Sequence, residues 1–201
     1  MAPSLIVMHP SATMRSVSIF RRLTALVVLA IAIALPARAL AQDSTSNAAK
    51  ARSLVDAAIK MTNSDEAVKL LWQATDIDPT LEDAYVYLGL YYNSRSDFAD
   101  VIKVYQKLVK YNPNQASAYL NIGEAYMSLT PPRAGDALVY YRKAYDVDPK
   151  NTFAALRIGQ ILAQNGNHDE AVKFLRQALA DTSNPSVSSQ AEKTLRDMNA
   201  L

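Results

Sequence analysis

Few side chains of this 201-residue sequence have the type and spacing needed for catalysis or metal binding. Of its two histidines, His9 lies in the N-terminal segment and His168 lies between Asn167 and Asp169, where a helix is expected to start. No second histidine or cysteine stands at metal-ligand spacing from His168, and no serine, histidine and aspartate set can be assembled around it. We interpret His168 as a solvated turn residue, and the sequence predicts no metal site.

Paired carboxylates are the other candidates, because two such groups can serve as the general acid and base of a hydrolase. The pairs are Asp65-Glu66, Asp76 with Asp78, Asp146 with Asp148, and Asp169-Glu170. They recur at equivalent intervals along the chain, which favours helix-start electrostatics and turn formation over catalysis. No glycine-rich phosphate loop is present in the sequence. We therefore predict a protein that is not an enzyme and that needs no cofactor.

The N-terminal segment has the pattern of a secretory signal peptide. An uncharged run at residues 23–35 follows Arg21 and Arg22 and precedes small residues, so residues 1–41 are predicted to be removed between Ala41 and Gln42. The alternative is a retained membrane anchor, but the run is shorter than the roughly 20 residues that span a bilayer. Whether translation starts at Met1 or Met14 stays open. We expect an exported, periplasmic or secreted protein without a stable membrane span.

Charge and cysteine content exclude further classes of function. Beyond residue 41 there are 17 basic and 19 acidic residues, a net charge of −2, so the basic character of the whole sequence belongs to the predicted signal. Such a balance offers no electrostatic surface for phosphate backbones, and nucleic acid is not expected as a partner. The sequence contains no cysteine, which excludes disulfides and thiolate chemistry.

From residue 48 onward the pattern is helical and repetitive. The motifs Asp78-Pro79, Asn112-Pro113 and Asp148-Pro149 are 34 and 36 residues apart. Between them run two kinds of apolar stripe at three- and four-residue spacing, each typical of one face of an amphipathic helix. One kind comprises Ala67, Leu71 and Ala74; Val101, Tyr105 and Leu108; Ala137, Tyr141 and Ala144; and Ala171, Leu175 and Ala178. The other comprises Tyr85, Leu88, Gly89 and Tyr92; Tyr119, Ile122, Gly123 and Tyr126; and Ala155, Ile158, Gly159 and Leu162.

These stripes and prolines resemble the 34-residue unit of the tetratricopeptide family, which joins two antiparallel helices. The resemblance implies an all-α, right-handed superhelical solenoid with four repeats and a C-terminal capping helix. The expected segments are a flexible leader at 42–47, repeats at 48–81, 82–115, 116–151 and 152–185, and the cap at 186–201. The glycines are expected to let paired helices approach closely against small residues such as Ala137. Asp97 and Asn167 are expected to cap second helices, Pro132 to enter a first helical turn, and Thr80 with Asp83 to form a capping box.

Such solenoids bind other polypeptides, and the resemblance places the partner in a groove lined by the first helix of each pair. It assigns partner contact to Val86, Tyr87, Leu90, Leu120, Asn121, Glu124, Phe153, Leu156, Arg157 and Gln160. It adds Ser128, Gln164 and, from the first unit, Arg52, Ser53, Asp56 and Lys60. Tyrosines outside the positions that the repeat fills are further candidate contacts, namely Tyr87, Tyr91, Tyr111, Tyr140 and Tyr145.

The predicted function is thus an exported scaffold or adaptor that binds a peptide or protein in its groove, in cell-envelope assembly or complex formation. Only Asn121 and Arg157 match the carboxylate clamp of some family members, so recognition of a chaperone tail of that kind is not expected. Two alternatives stay open: a self-associating structural module, and a non-catalytic accessory subunit of an envelope enzyme.

Overall fold

The computed structural model describes residues 45–61 and 65–200. The predicted signal peptide, its cleavage position and residues 42–44 of the predicted leader lie outside the described residues. The chain divides into two units, Met1–Asn47 and Ala48–Leu201, and the packed helices belong to the second.

The described residues form nine α-helices and no strand. The helices are α1 (residues 45–59), α2 (Asp65–Ile77), α3 (Glu82–Ser94), α4 (Phe98–Tyr111), α5 (Ala116–Ser128), α6 (Ala134–Val147), α7 (Thr152–Gln164), α8 (His168–Leu179) and α9 (Pro185–Asp197). From α2 to α8 each helix packs on the next one along the chain, and α9 packs on α8 and α7. The predicted all-α solenoid of helix pairs is confirmed.

Two boundaries differ from those expected. Residues 45–47, assigned to a flexible leader, are helical, because polar residues at an exposed helix start cost little and the alanines that follow favour helix. Helix α9 ends at Asp197 and does not run to the end of the chain, since Asn199 has φ 52° and its left-handed backbone terminates the helix.

The stripes read from the sequence are the faces on which the helices pack. In the second helix of each pair every stripe residue is buried, from Ala67, Leu71 and Ala74 in α2 to Ala171, Leu175 and Ala178 in α8. In the first helices the stripe residues are buried or half-buried, and α9 adds Val187, Ala191 and Leu195. A single pair cannot cover both of its apolar faces, so successive pairs stack.

Buried side chains fall into two clusters. One extends from Ala51 in α1 to Ala125 in α5, and the other extends from Ala137 in α6 to Leu195 in α9. The half-buried ring of Tyr126 packs against both clusters. The two halves of the stack are therefore joined at α5 and α6.

Three glycines on first helices lie directly against large side chains of the second helix. A Cβ atom added at Gly89, Gly123 or Gly159 would lie 2.5 Å from Tyr105, 2.5 Å from Tyr141 or 2.7 Å from Leu175. The sequence predicted close approach at these glycines, with small residues such as Ala137 on the second helix and tyrosine and leucine filling the space beside them. The tyrosine or leucine lies directly at the glycine, one turn after the small residue, because a glycine leaves room for a large side chain while the helices stay close.

The turns after α3, α7 and α9 share one hydrogen-bond pattern. Ser96, Gly166 and Asn199 have φ values of 60°, 78° and 52°. The next residue in each turn donates its backbone N–H to a carbonyl in the last helical turn at 2.9 Å, as from Asp97 to Tyr92. This pattern ends a helix with a left-handed residue and satisfies its free carbonyls.

The predicted N-terminal caps were mostly wrong. Asp97 and Asn167 precede α4 and α8, but their side chains accept no capping hydrogen bond, and Pro132 lies ahead of Ala134, where α6 begins. Thr80 donates to Asp78 at 2.7 Å and does not cap α3. Side-chain caps occur instead at Asn151 and Asn184.

Candidate functional site

Helix α3 presents three adjacent apolar side chains to solvent. Tyr85, Leu88 and Gly89 are buried, so the 3.6-residue period turns the neighbouring positions outward. Val86 is 44% exposed, Tyr87 39% and Leu90 59%. All three were predicted as partner contacts, and the structure leaves them accessible. We call this set the α3 patch.

The α3 patch borders a cavity of about 220 Å³, hereafter the N-terminal cavity. Its lining is almost entirely apolar and consists of Ala58, Ile59, Ala67, Val68, Leu71, Tyr87 and Tyr91. The hydroxyl of Tyr91 donates to Asp65 at 2.6 Å, a bond that also raises the pKa of this tyrosine, and Arg95 lies 5.5 Å from its ring centroid. Tyr91 is thereby held in place, while Ile59 and Tyr87 stay exposed.

A second cavity, of about 280 Å³, lies between α3, α4 and α5. It is lined by Gly89, Leu90, Asn93, Val101, Tyr105, Asn121, Glu124, Ala125 and Ser128. Two of its polar members have partners within their own helix: the Asn121 amide donates to the Ser117 carbonyl at 2.9 Å, and the Ser128 hydroxyl donates to the Glu124 carbonyl at 2.9 Å. Leu90 both lines this cavity and belongs to the α3 patch, so the two surfaces adjoin.

Glu124, Tyr141 and Arg157 form a hydrogen-bonded cluster that links α5, α6 and α7, hereafter the central cluster. The Arg157 guanidinium donates from Nε and Nη2 to the two Glu124 carboxylate oxygens, each at 2.7 Å. Glu124 Oε1 also accepts from the Tyr141 hydroxyl at 2.5 Å. This fork is the strong geometry for an arginine–carboxylate pair. Burial, followed by the bond to Glu124, raises the pKa of Tyr141 well above its ordinary value.

Glu124 and Arg157 were predicted to contact a partner, but their charges are committed to each other. Gln160 accepts from Arg157 at 3.3 Å, and the guanidinium lies 4.9 Å from the Phe153 ring centroid. Phe153 is half-buried against the core. The structure thus brings these predicted site residues together, but the positive charge of Arg157 is neutralised by Glu124 and is not free for a partner.

Leu156 is the predicted contact residue that the structure places elsewhere. It is 0% exposed and belongs to the second core cluster, so its assignment to the groove was wrong. The resemblance alone placed Leu156 in the groove, whereas in the structure α7 packs against α6, α8 and α9. Leu120 is half-buried against the same core. In the first unit Arg52, Ser53, Asp56 and Lys60 are exposed.

The extra tyrosines divide into bonded and exposed ones. Tyr140 accepts from the Gln106 amide at 3.0 Å, and Tyr145 donates to Gln177 at 2.7 Å, so both link neighbouring helices. Tyr111 and Tyr87 are exposed. Within the α3 patch, Tyr87 is therefore the extra tyrosine that is open to a partner.

Acidic residues of the repeat serve turns and ion pairs. Asp78, Asp148 and Asp181 each accept from the backbone N–H two residues later, at 3.0, 3.1 and 2.9 Å. Asp181 also accepts from Ser183 and Thr152, and these bonds lower its pKa to about 2. Glu170 pairs with Arg142 at 2.8 Å. Such bonds account for the recurrence of carboxylates along the chain.

Among residues 45–61 and 65–200 no group of three histidine or acidic side chains could hold a metal ion. Within the same ranges, no helix combines the length and the apolar character required to cross a bilayer.

The sequence resembles known repeat proteins over the same helices. Two models of the tetratricopeptide repeat match the chain, one at residues 86–152 and the other at 133–197. Tetratricopeptide repeat protein 21B of Mus musculus is 27% identical over 125 residues, which are 62% of this chain and 9% of the mouse protein. Type IV pilus assembly protein PilF of Pseudomonas aeruginosa is 28% identical over 103 residues, which are 51% of this chain and 40% of PilF.

A solved structure shares the arrangement of helices. A thermophilic TPR protein of Thermus thermophilus superposes with a TM-score of 0.55 at 21% identity, covering 75% of this chain and 84% of that protein. At this identity the likeness shows the fold. The chain spans less than half the length of the two sequence relatives, so their activities as whole proteins do not transfer to it. The chain therefore carries tetratricopeptide repeats over residues 86–197, folded as the helical solenoid of that family.

Proposed function

We propose that this protein is an exported, non-catalytic scaffold that binds an apolar segment of a partner protein in the cell envelope. The observation that carries the proposal is the α3 patch with its adjoining N-terminal cavity. Exposed apolar surface next to an apolar cavity marks a site of protein interaction. Export is supported by the signal-like pattern of residues 1–41.

The partner segment is best matched by aliphatic or aromatic side chains. The N-terminal cavity is lined mostly by aliphatic side chains, and of its two tyrosines Tyr91 already donates its hydroxyl to Asp65. A charged ligand group would lose its hydration there without gaining an ion pair from the lining. Val86 and Leu90 lie one helical turn apart, so they extend the apolar contact along α3 beyond the cavity.

A role in envelope assembly fits the similarity to a pilus assembly protein over 103 residues. Tetratricopeptide proteins generally bind polypeptides without catalysing a reaction, which supports the role of adaptor over that of enzyme. Self-association through the same α3 patch is an alternative outcome of the test below.

The test is a cross-linking pull-down from envelope extract, with protein expressed from the full-length sequence. Val86→Ser with Leu90→Ser removes the apolar surface, and Val139→Ser is the matched control, because Val139 is 52% exposed on α6. We expect a partner that wild type and the Val139 variant retain and the α3 variant loses. Equal recovery by all three proteins would refute the α3 patch as the binding surface. Recovery of this chain alone, with a concentration-dependent mass, would replace the proposal with self-association.

A substitution of Arg157, which was also a predicted partner contact, would be a less suitable test. Replacing Arg157 with glutamate would set two carboxylates side by side at Glu124, and loss of binding would then report damage to the central cluster. Exposed positions of α3 avoid this ambiguity, because surface substitutions usually change stability by less than about 0.5 kcal/mol.

A further inference from the structure

Three tyrosines of α5 and α6 bring their rings together where the two core clusters meet. The rings of Tyr126 and Tyr140 are stacked, with centroids 5.5 Å apart and planes 23° from parallel. Tyr119 lies farther from Tyr140, at 6.5 Å and 31°. Tyr126 and Tyr140 are both half-buried, so the helices hold their rings while small solutes can still reach them.

Neighbouring side chains keep the stacked rings in place. The Arg133 guanidinium lies 5.1 Å from the ring centroid of Tyr126, and its Nε donates to Asp136 at 2.8 Å. The Lys143 ammonium lies 5.0 Å from the ring centroid of Tyr140. Because a cation is attracted to the face of an aromatic ring, both contacts restrict the motion of the pair.

The hydroxyl groups of the two rings lie on the same side of the stack. The Gln106 amide donates to the Tyr140 hydroxyl at 3.0 Å. Burial, followed by the neighbouring Tyr140, raises the pKa of Tyr126, and a contact of the Tyr126 hydroxyl with the same Gln106 side chain partly offsets this rise. One carboxamide is therefore beside both hydroxyls. This register brings the ortho carbons, which adjoin the hydroxyl-bearing carbon, of one ring next to those of the other.

Other tyrosines of the described residues are less suited to joining two rings. The centroids of Tyr91 and Tyr92 are 5.3 Å apart, but their planes meet at 83°, so only one ring presents its edge carbons to the other. Tyr87 and Tyr111 are exposed, and neither stacks on a second tyrosine of the described chain. These two would meet the tyrosine of another molecule more readily than one of their own.

We propose that Tyr126 and Tyr140 are a site of oxidative modification, at which a one-electron oxidant that consumes hydrogen peroxide joins the two rings as dityrosine. Each phenol gives one electron to the oxidant and its hydroxyl proton to water. The two resulting radicals form one bond between ortho carbons, and the hydrogen atom of each of these carbons moves to its ring oxygen as a proton. The two electrons and two protons released reduce one hydrogen peroxide to two molecules of water.

The new bond fastens α5 to α6 and closes the loop of residues 126–140. The sequence contains no cysteine, so a disulfide cannot supply such a covalent link. As with a disulfide, a bond across a loop of this length stabilises the folded chain mainly by restricting the unfolded one. This inference is independent of the proposed function, since neither tyrosine belongs to the α3 patch or lines the N-terminal cavity.

The experiment treats protein expressed from the full-length sequence with a haem peroxidase and hydrogen peroxide, at a low protein concentration that limits coupling between molecules. Dityrosine is detected by its fluorescence, and mass spectrometry identifies the joined peptides. Tyr126→Phe and Tyr140→Phe each remove one phenol of the pair. Tyr145→Phe is the matched control, because Tyr145 is a half-buried tyrosine of α6 whose ring contacts Phe174 and no second phenol of the described residues.

We expect wild type and Tyr145→Phe to form dityrosine between Tyr126 and Tyr140 in protein of monomer size, with the loss of two hydrogen atoms in mass. Tyr126→Phe and Tyr140→Phe should each lose that product. Cross-linking should raise the urea midpoint of wild type by roughly 1 M. Dityrosine formed only between molecules, through the exposed Tyr87 or Tyr111, would overturn the proposal, as would an equal yield within the Tyr126→Phe protein or no dityrosine at all.

Discussion

Gly123→Ala should destabilise the protein although alanine is the better helix former. The added Cβ would lie 2.5, 2.8 and 2.9 Å from three ring carbons of Tyr141. These atoms belong to the body of the ring. Tyr141 is fully buried, and its hydroxyl is bonded to Glu124 at 2.5 Å, so the ring cannot turn aside without breaking that bond. The steric conflict must therefore be relieved by moving α5 away from α6.

The magnitude follows from two opposed terms. Overpacking a closed core costs about 1–3 kcal/mol, and replacing glycine by alanine inside a helix gains about 1 kcal/mol. We expect a net loss of about 1 kcal/mol in the free energy of unfolding, within a range of roughly 0–2 kcal/mol. Gly89→Ala should cost less, because its nearest contact is the hydroxyl at the tip of Tyr105, which has no hydrogen-bond partner among the described residues.

Gly135→Ala is the internal control. Gly135 lies in the first turn of α6, and nothing would lie within 4 Å of its added Cβ. This substitution should stabilise the protein by about 0.5–1 kcal/mol, through the loss of freedom in the unfolded chain. The same chemical change should thus have opposite effects at two sites only twelve positions apart.

The assay is urea unfolding followed by circular dichroism, with fluorescence of the single tryptophan, Trp72, as a second probe in α2. With a slope near 2 kcal/mol per molar urea, a difference of about 2 kcal/mol between the Gly123 and Gly135 variants separates their midpoints by roughly 1 M. A Gly123→Ala protein that equals or exceeds wild type in stability would refute the reasoning from close packing.

Three further predictions concern a turn, a buried tyrosine and the central cluster. Ser96→Gly should raise the free energy of unfolding by about 0.5–1 kcal/mol in urea titrations, because Ser96 has φ 60° where the equivalent turn has Gly166; an unchanged midpoint would contradict the assignment of strain. Burial, with smaller effects of Tyr111, Asp76 and Asp78, raises the pKa of Tyr85 to about 12. The unfolded chain loses this proton near pH 10, so this contribution to stability should be complete below pH 10 and should fall as the pH rises to about 12. Tyr85→Phe should make that decline shallower. Urea midpoints of the Tyr85→Phe protein that fall between pH 9 and 12 as steeply as those of wild type would argue against it. Glu124→Ala should cost about 2 kcal/mol and Arg157→Ala about 1 kcal/mol, because only the first also leaves the buried Tyr141 hydroxyl without an acceptor; equal losses in thermal and urea unfolding would count against this ranking.

The fold could be predicted from the sequence because the same apolar stripe and proline motif recur along the chain. One stripe such as Ala137, Tyr141 and Ala144 predicts a helix weakly, but four stripes in phase with proline motifs predict a stack. Helix ends were read less well, since Asp97 and Asn167 have side chains suited to capping yet lie in the hydrogen-bonded turn of the preceding helix. Residue type alone does not distinguish the end of one helix from the start of the next when the turn is three residues long.

The sequence predicted which exposed residues of α3 form the candidate site, but not how the charged residues near it are bonded. A pattern of groove positions finds Val86 and Leu90 because periodicity decides which side chains are exposed. It does not find that Arg157 is bound by Glu124, 33 residues away, or that Leu156 is covered by later helices.

The central cluster bears on where a partner gains its affinity. Covering Glu124 and Arg157 would remove water from a pair whose hydrogen bonds are already made, which costs desolvation without new bonds in return. The α3 patch, in contrast, gains from the removal of water. A polypeptide that spans the first helices should therefore be held mainly at the α3 patch and should touch the central cluster only lightly. Conservative substitutions at Asn121 or Gln160 should then change affinity far less than those at Leu90.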